Sequence, residues 1–76
     1  MSKEVSGTTD SDGSYNIGLN KNDYVPVGFV LLTPTDKTRN YFFSTYHNTQ
    51  YITLLNEAMQ LQKNSAFSGI VYYIAR

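Results

Sequence analysis

The sequence predicts an all-β domain of short antiparallel strands, and three stretches carry that expectation. Residues 14–20 alternate, with Tyr15, Ile17 and Leu19 set against Asn16, Gly18 and Asn20. That period of two sends successive side chains to opposite faces of a strand. Residues 24–33, YVPVGFVLLT, are rich in Val and add Phe29 and Leu31, residue types that suit a pleated, half-buried surface. Residues 67–75 place Phe67, Val71 and Tyr73 on one side and Ile70, Tyr72 and Ile74 on the other. Neither side is polar, so a strand here needs cover on both faces.

The elements follow in order. Residues 1–13, MSKEVSGTTDSDG, are polar and have almost nothing to bury, so they read as a flexible linker or entry segment, with Met1 to Glu4 open as a start-site remnant. Within them DSDG shares the opening of a calcium loop, but the later ligands and the closing Glu are missing, and a β-turn at Asp12-Gly13 is the expectation. A strand at 14–20 is followed by a turn at NKND and the strand 24–33, in which Pro26 requires an edge or a strand start because it has no amide to donate. After the polar connection PTDKTRN, a strand at 40–46 has Tyr41 and Phe43 on one side and Phe42 and Tyr46 on the other.

The segment YITLLNEAMQLQ supports two readings. On a helical wheel, Tyr51, Ile52, Leu54, Leu55, Ala58, Met59 and Leu61 fill one half, which gives an α+β alternative with a helix at about 51–62. The other reading is a strand at 50–55, a turn at NEA and an extended run into the strand at 67–75, favoured by Tyr51, Ile52 and Thr53. Local pattern alone slightly favours the helix.

A chain of 76 residues buries only about 60% of the surface its unfolded form exposes. Small domains usually add disulfides, a metal or partner subunits. There is no Cys, and the single His47 makes no metal site without further ligands, so self-association is the expected supplement. Six Lys and Arg are scattered and the formal charge is zero, which gives no basic footprint for nucleic acid. No stretch is long and apolar enough for membrane insertion, and no apolar run follows Lys3 as in a secretory signal.

Nothing in the sequence points to catalysis, so a non-enzymatic protein without cofactor or metal is expected. No carboxylate sits in an apolar strand beside another, as an acid–base pair with separated pKa values needs. Ser44, His47 and Asp36 make a triad only on paper, since no Ser lies in a nucleophile elbow. His47 reads first as a strand-end residue in solvent or at a subunit seam. Contact chemistry is the stronger signal: seven Tyr and four Phe with no Trp, and YHNTQY, where Tyr46 and Tyr51 flank Asn48, Thr49 and Gln50. Flat amphipathic rings beside amides and hydroxyls are what adaptable binding surfaces use.

Taken together, SGTTDSDGSYNIGL, NDYVPVGFVL, YFFSTY, YITLLN and NSAFSGIVYYIAR resemble the C-terminal tip domains of bacteriophage tail fibres and receptor-binding proteins, over residues 5–76. The resemblance implies a small antiparallel β-sandwich tip domain over 14–76 that forms a homotrimer. It implies attachment to the rest of the tail fibre and contact with a host-surface glycan or protein, saccharide first. Such a protein is made in the bacterial cytoplasm and works in the virion tail, outside the cell. The expected receptor surface is Tyr46, His47, Asn48, Gln50 and Tyr51, joined by Lys37 and Arg39 where the fold brings both loops to one end. Ile70, Tyr72, Ile74 and Phe42 are the expected trimer interface, because both of their strands are apolar on two faces. The alternatives are a fibre assembly or capping module that binds no receptor, and a small α+β cytoplasmic interaction protein.

Overall fold

The alternation in the sequence becomes six strands in the computed structural model, which describes residues 1–34 and 37–76. They are β1 (Ser2–Thr8), β2 (Ser14–Asn20), β3 (Tyr24–Thr33), β4 (Thr38–Tyr46), β5 (Thr49–Asn56) and β6 (Ala66–Ala75). They form two three-stranded antiparallel sheets, sheet I in the order β1-β6-β3 and sheet II in the order β2-β5-β4. The sheets stack as a sandwich, with β1 against β2 and β3 against β4 at its two edges. The all-β, antiparallel sandwich expected from the sequence is the observed fold.

Every second residue of the central strands points inward. Ile52 and Leu54 of β5 and Phe67 and Val71 of β6 meet Val5, Ile17 and Leu19 from the edges, and all seven are buried. Aromatic rings fill the space between the sheets in a chain of edge-on contacts. Tyr15 meets Phe67 at 5.1 Å between centroids, Phe67 meets Phe29 at 6.4 Å, Phe29 meets Tyr41 at 5.4 Å, and Tyr41 meets Phe43 at 5.4 Å. Contacts of this geometry contribute about 0.5–1.5 kcal/mol each beyond the area they bury. Two glycines make room for the rings. A Cβ on Gly7 would stand 2.5 Å from the Tyr15 ring, and one on Gly69 would stand 2.4 Å from the Phe29 ring and 2.8 Å from the Val30 carbonyl oxygen.

The polar N-terminal stretch expected to be a linker is instead mostly strand. Ser2 to Thr8 pair residue by residue with Tyr72 to Ala66, and Val5 is buried. An edge strand needs little apolar content, because its backbone supplies the ladder to β6 while Val5 alone enters the core. Residues 2–8 therefore belong to the folded unit, which the sequence had placed from Ser14 on. The expected turn follows, with the Gly13 amide donating to the Asp10 carbonyl at 3.0 Å and Gly13 at a φ of 74°.

Residues 51–62 form no helix. β5 ends at Asn56, whose Oδ1 accepts from the amides of Ala58 and Gln60 at 2.9 and 3.0 Å, a side-chain bond that competes with helix continuation. Met59 takes a positive φ of 60°, and Leu61 returns to bridge Leu55. The apolar run that fits a helical wheel is that of a central strand covered on both sides. Ile52 and Leu54 face the core, while Leu55 is buried on the outer side where Leu61 crosses it. Asp36, the third member of the paper triad, lies outside the described residues.

Candidate functional site: a groove on the outer face of sheet II

The outer face of sheet II is built by register. Ser14 and Phe42 lie on either side of Thr53, and Asn16 and Ser44 on either side of Tyr51. The hydroxyls of Ser14 and Thr53 hydrogen-bond at 2.7 Å, which explains how Thr53 is buried without penalty. The turn before β2 rises at one end of this face. Asp10 Oδ1 accepts from the amides of Asp12 and Ser14 at 2.8 and 3.0 Å and fixes the turn beside the strand. At the far side stands Tyr46, which is 64% exposed and packs edge-on against Tyr51 at 6.2 Å and against the His47 ring at 4.3 Å.

Between the turn and the rings lies a groove of about 380 Å³ lined by Asp10, Asp12, Ser14, Ser44, Tyr46 and Tyr51. Its chemistry is two carboxylates, two hydroxyls and two phenol rings, with no Lys, Arg or His among the lining residues. Asp10 is held by backbone amides, and among the described residues no side chain donates to either carboxylate. Phenol rings present flat apolar area with a polar tip, and carboxylate and hydroxyl oxygens accept from hydroxyl or ammonium donors. Among the described residues no group of three or more His, Cys, Asp or Glu could hold a metal ion.

Of the residues expected at a receptor surface, Tyr46 and Tyr51 line the groove and His47 borders it. His47 and Asn48 form the two-residue turn between β4 and β5, with His47 at a φ of 55° and the Asn48 carbonyl accepting from the Lys21 amide at 2.9 Å. Gln50 points the other way. It is buried, and its Oε1 accepts from Thr45 Oγ1 at 2.9 Å, because strand alternation puts it on the inner side. Lys37 and Arg39 do not join the hairpin. They sit at the opposite end of β4 from Tyr46, about 25 Å away at roughly 3.3 Å per residue.

Lys37 belongs to a separate hollow of about 390 Å³ lined with Asn56, Glu57, Ala58 and Gln62. Gln62 is buried there, receiving a hydrogen bond from Thr38 Oγ1, while its Nε2 has no partner among the described residues. Asp10, Asp12, Ser14 and Ser44 were not legible as site residues. The Asp-Gly turn and the alternation of 14–20 place Ser14 opposite Tyr15, but only the pairing of Ser14 with Thr53 brings that turn to the Tyr51 side.

The expected interface residues divide between the two outer faces. Ile70, Tyr72 and Ile74 share the outer face of sheet I with Val25 and Val30, to which β3 pairs them: Val25 with Ile74 and Val30 with Ile70. Val30, Tyr72 and Ile74 are all exposed by 42–53%, and Val27 and Leu32, the extra residues at two register shifts of β3, widen the apolar area. Phe42, 46% exposed, lies on the outer face of sheet II and looks away from them, so it is not part of that surface. Comparison with known protein families, curated proteins and solved structures finds no match.

Proposed function

We propose that this chain is a non-enzymatic recognition module that binds a saccharide through the groove on sheet II and associates with further copies of itself through the outer face of sheet I. The observation that carries the reading is the groove, where two Tyr rings meet Ser44 on the β4 side and Ser14 and the Asp10–Asp12 turn on the β2 side of one rigid sheet. A sugar ring has apolar C–H faces that lie on phenol rings and hydroxyls at its rim that meet carboxylate and hydroxyl oxygens. The resemblance to phage tail-fibre tips makes the ligand a host-surface glycan. On such a fibre, weak single sites give firm attachment through effective concentration.

Self-association rests on the apolar face. Val25, Val30, Ile70, Tyr72 and Ile74, widened by Val27 and Leu32, form one apolar face on which Val27, Val30, Leu32, Tyr72 and Ile74 are each exposed, the kind of patch that marks contact sites. Edge-to-edge pairing is disfavoured, since β3 carries Pro26 and two register shifts and β1 carries Lys3 and Glu4. A homotrimer consistent with this surface turns β6 towards the common axis and leaves Phe42 and the groove pointing outward. The assembly module without receptor binding is the second reading, favoured by the same face.

Binding to an array of immobilised glycans tests the proposal. Wild-type protein should bind a defined subset, and Tyr46→Ala with Tyr51→Ala should lose it while the melting temperature falls by no more than about 4–8 °C. An array with no binding leaves only the assembly reading.

A further inference from the structure

We infer that the hollow lined by Lys37, Asn56, Glu57, Ala58 and Gln62 is a binding site for a small zwitterion with carboxylate and ammonium on one carbon, as in a free α-amino acid. It lies at the opposite end of β4 from the groove and stands apart from the saccharide reading. The observation behind it is Gln62, which is only 8% exposed and whose bonding groups can be followed one by one. Its backbone amide donates to the Leu54 carbonyl at 2.9 Å, its backbone carbonyl accepts from Thr9 Oγ1 at 2.6 Å, and its Oε1 accepts from Thr38 Oγ1 at 2.5 Å. Three separate segments thus pin the residue where it lines the hollow, and Nε2 alone is left without a partner among the described residues. A buried donor in a native fold finds an acceptor in protein, water or ligand.

Size and charge decide what that acceptor belongs to. A single water takes about 30 Å³. The hollow measures about 390 Å³, within the roughly 300–1,000 Å³ of small-molecule sites. Lys37 and Glu57 both line it, and among the described residues neither has an ion-pair partner. A carboxylate accepts from the Gln62 amide and the Lys37 ammonium together, but a simple anion also meets the like charge of Glu57. An ammonium beside the carboxylate turns that repulsion into a second charge-assisted hydrogen bond. The Glu57–Ala58 side is fixed for this purpose by Asn56, whose Oδ1 holds the amides of Ala58 and Gln60 at 2.9 and 3.0 Å.

Nitrogen–proton correlation spectra test the inference, because the side-chain amide of Gln62 gives its own pair of signals. Titration of the whole chain at neutral pH with a panel of free α-amino acids should shift that pair saturably for at least one member, together with the backbone amides of Lys37, Glu57 and Ala58. Acetate and methylammonium, each with half of the charge pattern, should bind more weakly. Lys37→Gln and Glu57→Gln, at exposed positions that folding does not depend on, should each weaken the amino acid about two- to fivefold. Tyr46→Ala should leave it unchanged. If no amino acid moves the Gln62 pair, a bound water satisfies Nε2 and the inference is overturned. Acetate binding as tightly as the amino acid, with no effect of Glu57→Gln, overturns the zwitterion. Shifts centred on Tyr46 and Tyr51 with the Gln62 pair still overturn the placement.

Discussion

The two outer faces of this sandwich share one core and differ in almost everything else. Sheet I turns Val25, Val30, Ile70, Tyr72 and Ile74 outward, with Ser2, Glu4 and Ser6 on its β1 side and Thr33 and Ser68 at one end to make it polar. Sheet II turns out Ser14, Asn16, Phe42, Ser44, Tyr46 and Tyr51, and where it does carry a large aliphatic residue, Leu55, the returning chain at Leu61 covers it. Both central strands are apolar on two sides, yet one covers its second face with its own chain and the other leaves it open. A two-sided apolar strand therefore does not by itself say what covers it. The loop that follows decides.

Breaking the open face gives the largest expected effect. Ile74→Asp puts a charge on the face proposed for self-association, and association at micromolar concentration should be lost while the monomer stays folded, because Ile74 is already half in water. Sedimentation reads this directly. The matched change Phe42→Asp on the opposite face should leave the oligomer intact. If Phe42→Asp dissociates it instead, sheet II carries the seam.

The groove gives the next effect. Tyr46→Ala with Tyr51→Ala should weaken saccharide binding by more than tenfold, since two rings supply most of the apolar contact area. Neither residue belongs to the core cluster, so the cost in stability should be near 1 kcal/mol, or roughly 4–8 °C in melting temperature. A collapse of melting together with binding makes these rings structural.

Covering loop and bare face can also be compared by stability. Leu61→Ser strips the cover from Leu55 and should destabilise the monomer by about 1 kcal/mol in urea unfolding, without changing association. Smallest of all, Lys37→Ala and Arg39→Ala should leave saccharide binding unchanged, because both lie at the far end of β4. Weakened binding in either variant means that the ligand spans the whole strand.

Alternation made most strands legible, since Tyr15, Ile17 and Leu19, or Phe67, Val71 and Tyr73, declare an inner face without any knowledge of the partner strand. β1 was hidden because one apolar residue, Val5, suffices at an edge whose contribution is backbone hydrogen bonds. The segment after Tyr51 was ambiguous because a strand covered on both sides and an amphipathic helix draw on the same residues. Asn56 is the physical discriminator, since its side chain takes the amides a helix would use. The Tyr half of the groove could be read from YHNTQY, while its acidic half depends on the register between β2 and β5, which one strand's sequence does not encode.

The central claim is that the two faces have separate roles, with saccharide meeting sheet II alone. Amide chemical-shift mapping by nuclear magnetic resonance during titration with a saccharide selected on the glycan array tests it most directly. The account predicts shifts concentrated at Asp10 to Ser14, Ser44 to His47 and Tyr51, with Val30 and Ile70 to Ile74 unmoved. Shifts centred on Val30, Tyr72 and Ile74, with the groove silent, would contradict it.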